Sequence, residues 1–200
     1  MKIFVNFLSV FRILSAFAIV PLLMRGFFAL AFVIFVSAAI SDFVDGFLAR
    51  KYKVATKIGG VLDHIGDKFL VVNSLIMIIV FLQVLSVIIP AILMICRELY
   101  VSGLREFLGT QKIEMPVPKA RFSLGKIKTF VQMLVIAAVF LWIWAVNADW
   151  NNEFITNDML FSKIGEITIL EFIVWFAAAC SIISAIRYTM TFIRNLKKIK

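Results

Sequence analysis

Four of the six aspartates in this chain of 200 residues fall within one stretch, SDFVDGFLARKYKVATKIGGVLDHIGDK, residues 41–68. At about 100° per helical residue, Asp42, Asp45, Gly46 and Ala49 share an arc of about 100°, so two carboxylates lie beside two small residues. Gly59, Asp63, Gly66 and Asp67 repeat the pattern downstream. Two such helices joined by the short basic turn KYKVATKI would be antiparallel neighbours, and their acidic faces could converge. Four ionised carboxylates in one small space repel one another and raise one another's pKa, so a cation is required. Oxygen-only ligands at this spacing suit a hard divalent ion, Mg²⁺ or Mn²⁺. Two such ions roughly 3.5–4 Å apart would clamp a phosphate for in-line displacement at phosphorus. The small residues would admit a phosphorylated ligand against the helix backbone. Helix capping with pairing to loop lysines, and a cation-transport site, are the competing readings. Against transport, the aspartates gather at one boundary, whereas transporter sites commonly lie near the midplane on broken helices.

The elements that must position these residues are membrane helices. The chain is 62% apolar with mean hydropathy +1.02, far above an ordinary soluble domain. Six stretches are long enough to cross a hydrocarbon layer: about Phe4 to Met24, Phe27 to Ala49, Leu62 to Val84, Ser86 to Leu108, Lys128 to Asn147 and Ile167 to Ile193. The first span continues through IVPLLM and carries Asn6 and Arg12, which argues for a retained span rather than a cleaved signal. Cys96 and Cys180 fall mid-span, where small apolar packing is expected. The expected fold is all-α, one integral membrane bundle of six transmembrane helices over residues 1–200.

Charge orients the bundle. Arg50, Lys51, Lys53 and Lys57 fill the second connection, Lys112, Lys119, Arg121 and Lys126 the fourth, and Arg194, Lys197, Lys198 and Lys200 the tail. The alternate connections hold only Arg25 and Lys163, the latter among Asp149, Glu153, Asp158 and Glu166. By the positive-inside rule both termini are cytoplasmic, and the active site lies near the cytoplasmic boundary. The formal charge of +9 is then concentrated toward anionic lipid headgroups, and no nucleic-acid partner is expected.

DFVDGFLAR, eight residues, then GGVLDHIGD reads as DxxDGxxAR, x8, GxxxDxxxD. This resembles the signature of the CDP-alcohol phosphatidyltransferases, with every defining position present. The resemblance implies six membrane helices, two divalent cations (Mg²⁺ or Mn²⁺) held by the four aspartates, and transfer of a phosphatidyl group from a CDP-linked lipid to an alcohol with release of CMP. It implies that Asp42, Asp45 and Asp63 are metal ligands and that Asp67 is both ligand and general base. It places Gly46, Ala49 and Arg50 against the CDP moiety, with Gly59 allowing close approach. It also implies a homodimer in a bacterial inner membrane.

NFLSVFRI, ICRELYVSGLREF and LGKIKTFVQM extend the likeness across most of residues 4–135, toward the family's bacterial branch that joins CDP-diacylglycerol to sn-glycerol 3-phosphate. The residues themselves suit an anionic acceptor. Arg97 and Arg105 lie about 80° apart on the fourth span with Tyr100 on the flank. Two guanidiniums there suit phosphate oxygens, and Lys126 and Lys128 could complete a phosphate pocket. Pairing with Glu98 and Glu106 plus snorkelling is the alternative. Arg12, with Asn6 and Ser9 on adjoining faces, is a candidate for holding the nucleotide or the metal shell. Two positions depart from the branch: His64 stands where Pro is common, and Ser9 where Thr is often found. Another acceptor, such as inositol phosphate, serine or phosphatidylglycerol, therefore remains open at this level. The segment after about residue 145 carries no motif; LWIWAVNADW reads as an interfacial aromatic belt.

Overall fold

The computed structural model describes residues 2–52, 57–110, 124–148, 163–164 and 167–196. The connection cations Lys53, Lys112, Lys119 and Arg121, the loop acids Asp149, Glu153, Asp158 and Glu166, and the tail lysines 197, 198 and 200 lie outside these residues. Six helices follow one another: α1 (Lys2–Met24), α2 (Phe28–Tyr52), α3 (Lys57–Leu82), α4 (Leu85–Thr110), α5 (Leu124–Asn147) and α6 (Ile169–Leu196). Between α5 and α6, β1 (Lys163–Ile164) and β2 (Ile167–Thr168) form a two-residue antiparallel pairing. All six helices are long and apolar enough to cross a membrane. The fold is an integral membrane α-bundle.

Local chemistry sets the boundaries. The α1–α2 turn is a Schellman motif. Gly26, at φ +80°, donates to Leu23 O, and Phe27 donates to Leu22 O; glycine takes this left-handed position without the Cβ penalty. At the start of α6, Thr168 and Glu171 form a reciprocal capping box. The Glu171 amide donates to Thr168 Oγ1, and Glu171 Oε2 accepts from the Thr168 amide. The helix therefore starts at Ile169, two residues later than hydropathy alone places it. α3 begins earlier than expected, at Lys57, and α2 runs on to Tyr52, so both described ends of the basic turn are helix.

The core is assembled from the inward faces, with Ala16, Ile19, Phe35, Leu70, Leu75, Met94, Ile136 and Phe140 buried. Phe35 and Phe140 meet edge to face at 5.3 Å between α2 and α5. Outward faces carry Phe7, Leu14, Phe43, Leu85, Leu99 and Phe172 exposed, which is where lipid tails would lie. Cys96 is exposed on this outer surface of α4 rather than packed inside, because the α4 face toward the bundle is taken by Val87, Ala91, Met94 and Val101.

One packing relationship differs from the simple hairpin expected of neighbouring spans. α1 packs extensively against both α3 and α2, while α2 and α3 touch each other little. α1 therefore lies between the two acidic helices. Gly66 faces α1 closely: a Cβ there would stand 3.4 Å from Ser9 O, 3.4 Å from Ile13 Cγ1 and 3.5 Å from Arg12 Cδ, room for a methyl group but not for a larger side chain. Asn73 adds a hydrogen bond to Ala16 O at 3.1 Å, a polar clasp in a setting where buried amides need partners.

Candidate active site

Alternating helix direction brings the start of α1, the end of α2, the start of α3, the end of α4, the start of α5 and the end of α6 to one end of the bundle. Contacts between α4 and α6 run in register along their length, from Ser86 with Glu171 to Phe107 with Phe192, so these two helices are parallel. The polar residues gather at the Phe107 end.

There the two acidic segments meet across Arg12. This side chain is fully buried, and its guanidinium reaches all four aspartates. Nη1 lies 2.6 Å from Asp67 Oδ1, 2.7 Å from Asp63 Oδ1 and 3.3 Å from Asp42 Oδ1, while Nη2 donates to Asp45 Oδ2 at 2.6 Å. Asp42, Asp63 and Asp67 each offer an oxygen, and these oxygens lie within 4.8 Å of one another, a spacing that a single cation could bridge. Asp45 sits deeper, its side chain 4% exposed, whereas those of Asp42, Asp63 and Asp67 are 31%, 43% and 30% exposed. The centre therefore has a closed floor and an open mouth.

This confirms the convergence expected from the spacing and changes how it arises. The carboxylates come together around a third helix. Helical phase put Asp42 with Asp45 and Asp63 with Asp67, but it could not show that α1 threads between them. Among the expected nucleotide contacts, Gly59 is buried at the start of α3. Asn6, Gly46, Ala49, Arg50 and Lys126 lie outside the residues whose side-chain surroundings are described.

The cations expected to form the phosphate pocket separate into two settings. Arg97 is engaged with α6: Nη2 donates to Ser184 Oγ at 2.9 Å and Nε to Ser181 O at 3.3 Å, with Glu98 at 3.3 Å from Nη1. Lys128 is buried and donates to Glu98 Oε1. Glu98 thus neutralises two cations from two helices, as the internal-pairing alternative anticipated. Arg105 is exposed. It lies over the Tyr188 ring, 5.5 Å from Cζ to centroid, and makes no ion pair among the described residues, Glu106 included.

Span six was the blank in the sequence reading, yet it supplies Ser181, Ser184 and Tyr188 to these cations. Ser184 and Tyr188, at i and i+4, carried a signal as polar residues on one face of α6, whereas Ser181 contributes only its backbone carbonyl. Each makes or flanks a contact to α4 that fixes a guanidinium.

Cations on α4 and α5, held in part by α6, near an acidic centre on α2 and α3 can accommodate phosphates on one side and hard cations on the other. Comparison with known proteins points the same way. The family described as CDP-alcohol phosphatidyltransferase matches residues 2–193. The chain is 35% identical over 190 residues to the CDP-diacylglycerol–glycerol-3-phosphate 3-phosphatidyltransferase of Rickettsia bellii, covering 92% of this chain and 91% of that one. It is 35% identical over 195 residues to the protein of the same name from Rickettsia typhi, covering 94% and 96%. With that of Haemophilus influenzae it shares 32% identity over 148 residues, covering 70% and 75%. The match runs from the first residues of α1 nearly to the end of α6, through every helix that contributes to the centre, and this chain belongs to the CDP-alcohol phosphatidyltransferase family.

Proposed function

We propose that this protein transfers the phosphatidyl group of CDP-diacylglycerol to sn-glycerol 3-phosphate, giving phosphatidylglycerophosphate and CMP. The observation that carries the reading is the meeting of Asp42, Asp45, Asp63 and Asp67 at one point around the buried Arg12. The names of the relatives support the donor and the acceptor.

The residues present fit a divalent-ion centre. Three partly exposed carboxylates offer hard oxygen atoms at bridging distance, and a fourth stands behind them. In the proposed arrangement Asp42, Asp45, Asp63 and Asp67 hold two ions, Mg²⁺ or Mn²⁺. When bound, these ions supply charge neutralisation at the phosphates and at the departing CMP. Asp67 takes the proton of the acceptor hydroxyl as its oxygen attacks the lipid-side phosphorus. One P–O bond forms to glycerol phosphate as the P–O bond to CMP breaks.

Gly46, Ala49, Arg50, Gly59 and Asn6 are proposed to receive the CDP moiety. Arg105, Arg97, Lys126 and Lys128 are proposed to receive the acceptor's phosphate. Arg105 is more available than Arg97 or Lys128, being exposed and stacked rather than ion-paired among the described residues. Arg97 and Lys128 already share Glu98, so in this reading they set the local field and hold α4, α5 and α6 in place.

The proposed setting is a bacterial inner membrane, with both termini and the reaction centre on the cytoplasmic side. The acyl chains would stay among lipid tails while the diphosphate reaches the carboxylates. The whole chain acts as one domain, and two copies form a homodimer. The direct test supplies purified protein in lipid nanodiscs with CDP-diacylglycerol, Mg²⁺ and labelled glycerol 3-phosphate. Label should move into the organic phase with equimolar CMP; no organic-soluble label would refute the assignment.

A further inference from the structure

Arg12 stands in a position that the proposed chemistry does not explain by itself. Its Nη1 is surrounded by one oxygen from each of Asp42, Asp63 and Asp67, at 3.3, 2.7 and 2.6 Å. These are the three carboxylates whose oxygens approach one another closely enough to hold one ion. A divalent ion this small sits about 2.0–2.1 Å from its oxygen ligands. A cation drawn to these three carboxylates would stand close to Nη1 and face its positive charge. The guanidinium and the ion therefore compete for the same carboxylates.

We propose that Arg12 is an exchangeable internal counter-ion: it neutralises the four-carboxylate centre, and its Nη1 must withdraw from Asp42, Asp63 and Asp67 for a divalent cation to be held there. The inference builds on the metal-dependent reading given above. Three features allow the exchange. Nη2 is bonded separately to Asp45, the deepest of the four, so one arm of the fork can stay anchored while the other withdraws. The Arg12 stem passes Gly66, where no side chain blocks its movement. Nε is buried with no hydrogen-bond partner among the described residues, so the seated arrangement leaves one donor unmet and is not the guanidinium's best possible setting.

The exchange also gives a physical reason for so buried a cation at this place. Four carboxylates converging in a membrane protein would repel one another during folding, before any ion is taken up. A guanidinium supplied by the neighbouring helix removes that repulsion from within the chain. Its planar fork can serve several carboxylates at once, which an ammonium group cannot do equally well.

The test is calorimetric titration of Mn²⁺ into substrate-free protein in nanodiscs, with thermal unfolding followed in EDTA and in Mn²⁺. Wild type is compared with Arg12→Gln and Arg12→Lys. Exchange predicts that Arg12→Gln tightens Mn²⁺ binding about tenfold or more, equivalent to about 1.4 kcal/mol. Arg12→Lys should tighten it by an intermediate factor, because the charge is kept and the fork is lost. In EDTA the Arg12→Gln protein should melt below wild type, and Mn²⁺ should raise its melting temperature by a larger interval. Equal or weaker Mn²⁺ binding in both variants would overturn the proposal. So would tighter binding in Arg12→Gln with Arg12→Lys indistinguishable from wild type, since only distant charge would then matter. If Arg12→Gln does not fold, the comparison of Arg12→Lys with wild type decides alone. Absence of Mn²⁺ binding to wild type and variants alike would instead sink the metal-dependent reading, and the exchange with it.

Discussion

The guanidinium of Arg105 lies over the ring of Tyr188, 5.5 Å from Cζ to ring centroid, joining the ends of α4 and α6 beside the carboxylate centre. A cation–π contact of this kind is worth about 0.5–2 kcal/mol, more where water is excluded, and it restricts where the guanidinium can point. If Arg105 receives the acceptor's phosphate, Tyr188 is the residue that aims it. Tyr188→Phe should leave the KM for glycerol 3-phosphate within about twofold of wild type, since the ring is kept. Tyr188→Leu should raise it roughly threefold to thirtyfold with little change in kcat. Steady-state kinetics on the two variants checks the split, and a change confined to kcat would rule out an aiming role.

Arg105 itself should matter more. A charge-assisted hydrogen bond contributes about 1.5–3 kcal/mol, so Arg105→Ala should raise the KM for glycerol 3-phosphate roughly tenfold to a hundredfold. The KM for CDP-diacylglycerol should stay near its wild-type value. An unchanged acceptor KM would remove Arg105 from the phosphate pocket.

Asp67 is assigned two duties, and substitution should separate them. Asp67→Asn keeps one oxygen toward the centre but cannot take a proton at neutral pH, so kcat should fall about 10²- to 10⁴-fold. Mn²⁺ binding should be weakened yet still measurable, because Asp42, Asp45 and Asp63 remain. Turnover close to wild type would assign the base to another group.

Glu98 should be a structural keystone, since Arg97 and the buried Lys128 share it. Removing one partner of a buried ion pair costs about 3–5 kcal/mol by leaving a charge uncompensated. Glu98→Ala should therefore lower the melting temperature sharply. Glu98→Ala combined with Lys128→Met should recover part of the loss, and a double-mutant cycle reads the difference. Additive losses would show that the pair is not coupled.

Gly66 should tolerate a methyl group but not a large side chain. A Cβ there would meet three atoms of α1 at 3.4–3.5 Å, the limit of ordinary contact, so Gly66→Ala should fold with modest loss of stability. Gly66→Leu should force α1 away from α3 and scatter the carboxylates, abolishing transfer and lowering the melting temperature together. Normal activity in Gly66→Leu would mean that the α1–α3 approach is dispensable.

Much of this arrangement was legible before any coordinates. Hydropathy located six spans because an apolar run long enough to cross a bilayer has few other uses, and the helical phase of Asp42, Asp45, Asp63 and Asp67 already pointed their carboxylates at one another. What the sequence could not carry was which helices touch. Adjacent spans were expected to meet directly, yet α1 lies between α2 and α3, through an extensive interface that includes Gly66 and Asn73. For the same reason Arg12 was legible as a nearby cation but not as the partner of all four aspartates. Ser184 and Tyr188 were readable as polar residues on one face of α6, but their targets lie 80 or more residues away on α4. The start of α6 was misplaced by two residues although Thr168 and Glu171 carry a capping-box spacing, because hydropathy does not register caps.

The central claim is that these four aspartates together form a two-ion centre for chemistry at phosphorus. Its most direct test is electron paramagnetic resonance of Mn²⁺ bound to purified, substrate-loaded protein, with stoichiometry measured in parallel. Two Mn²⁺ per chain with a spin-coupled spectrum, as expected for ions roughly 3.5–4 Å apart, lost when Asp42 and Asp63 are both changed to Asn, is the predicted result. No bound Mn²⁺, or binding that survives that double change, would contradict it.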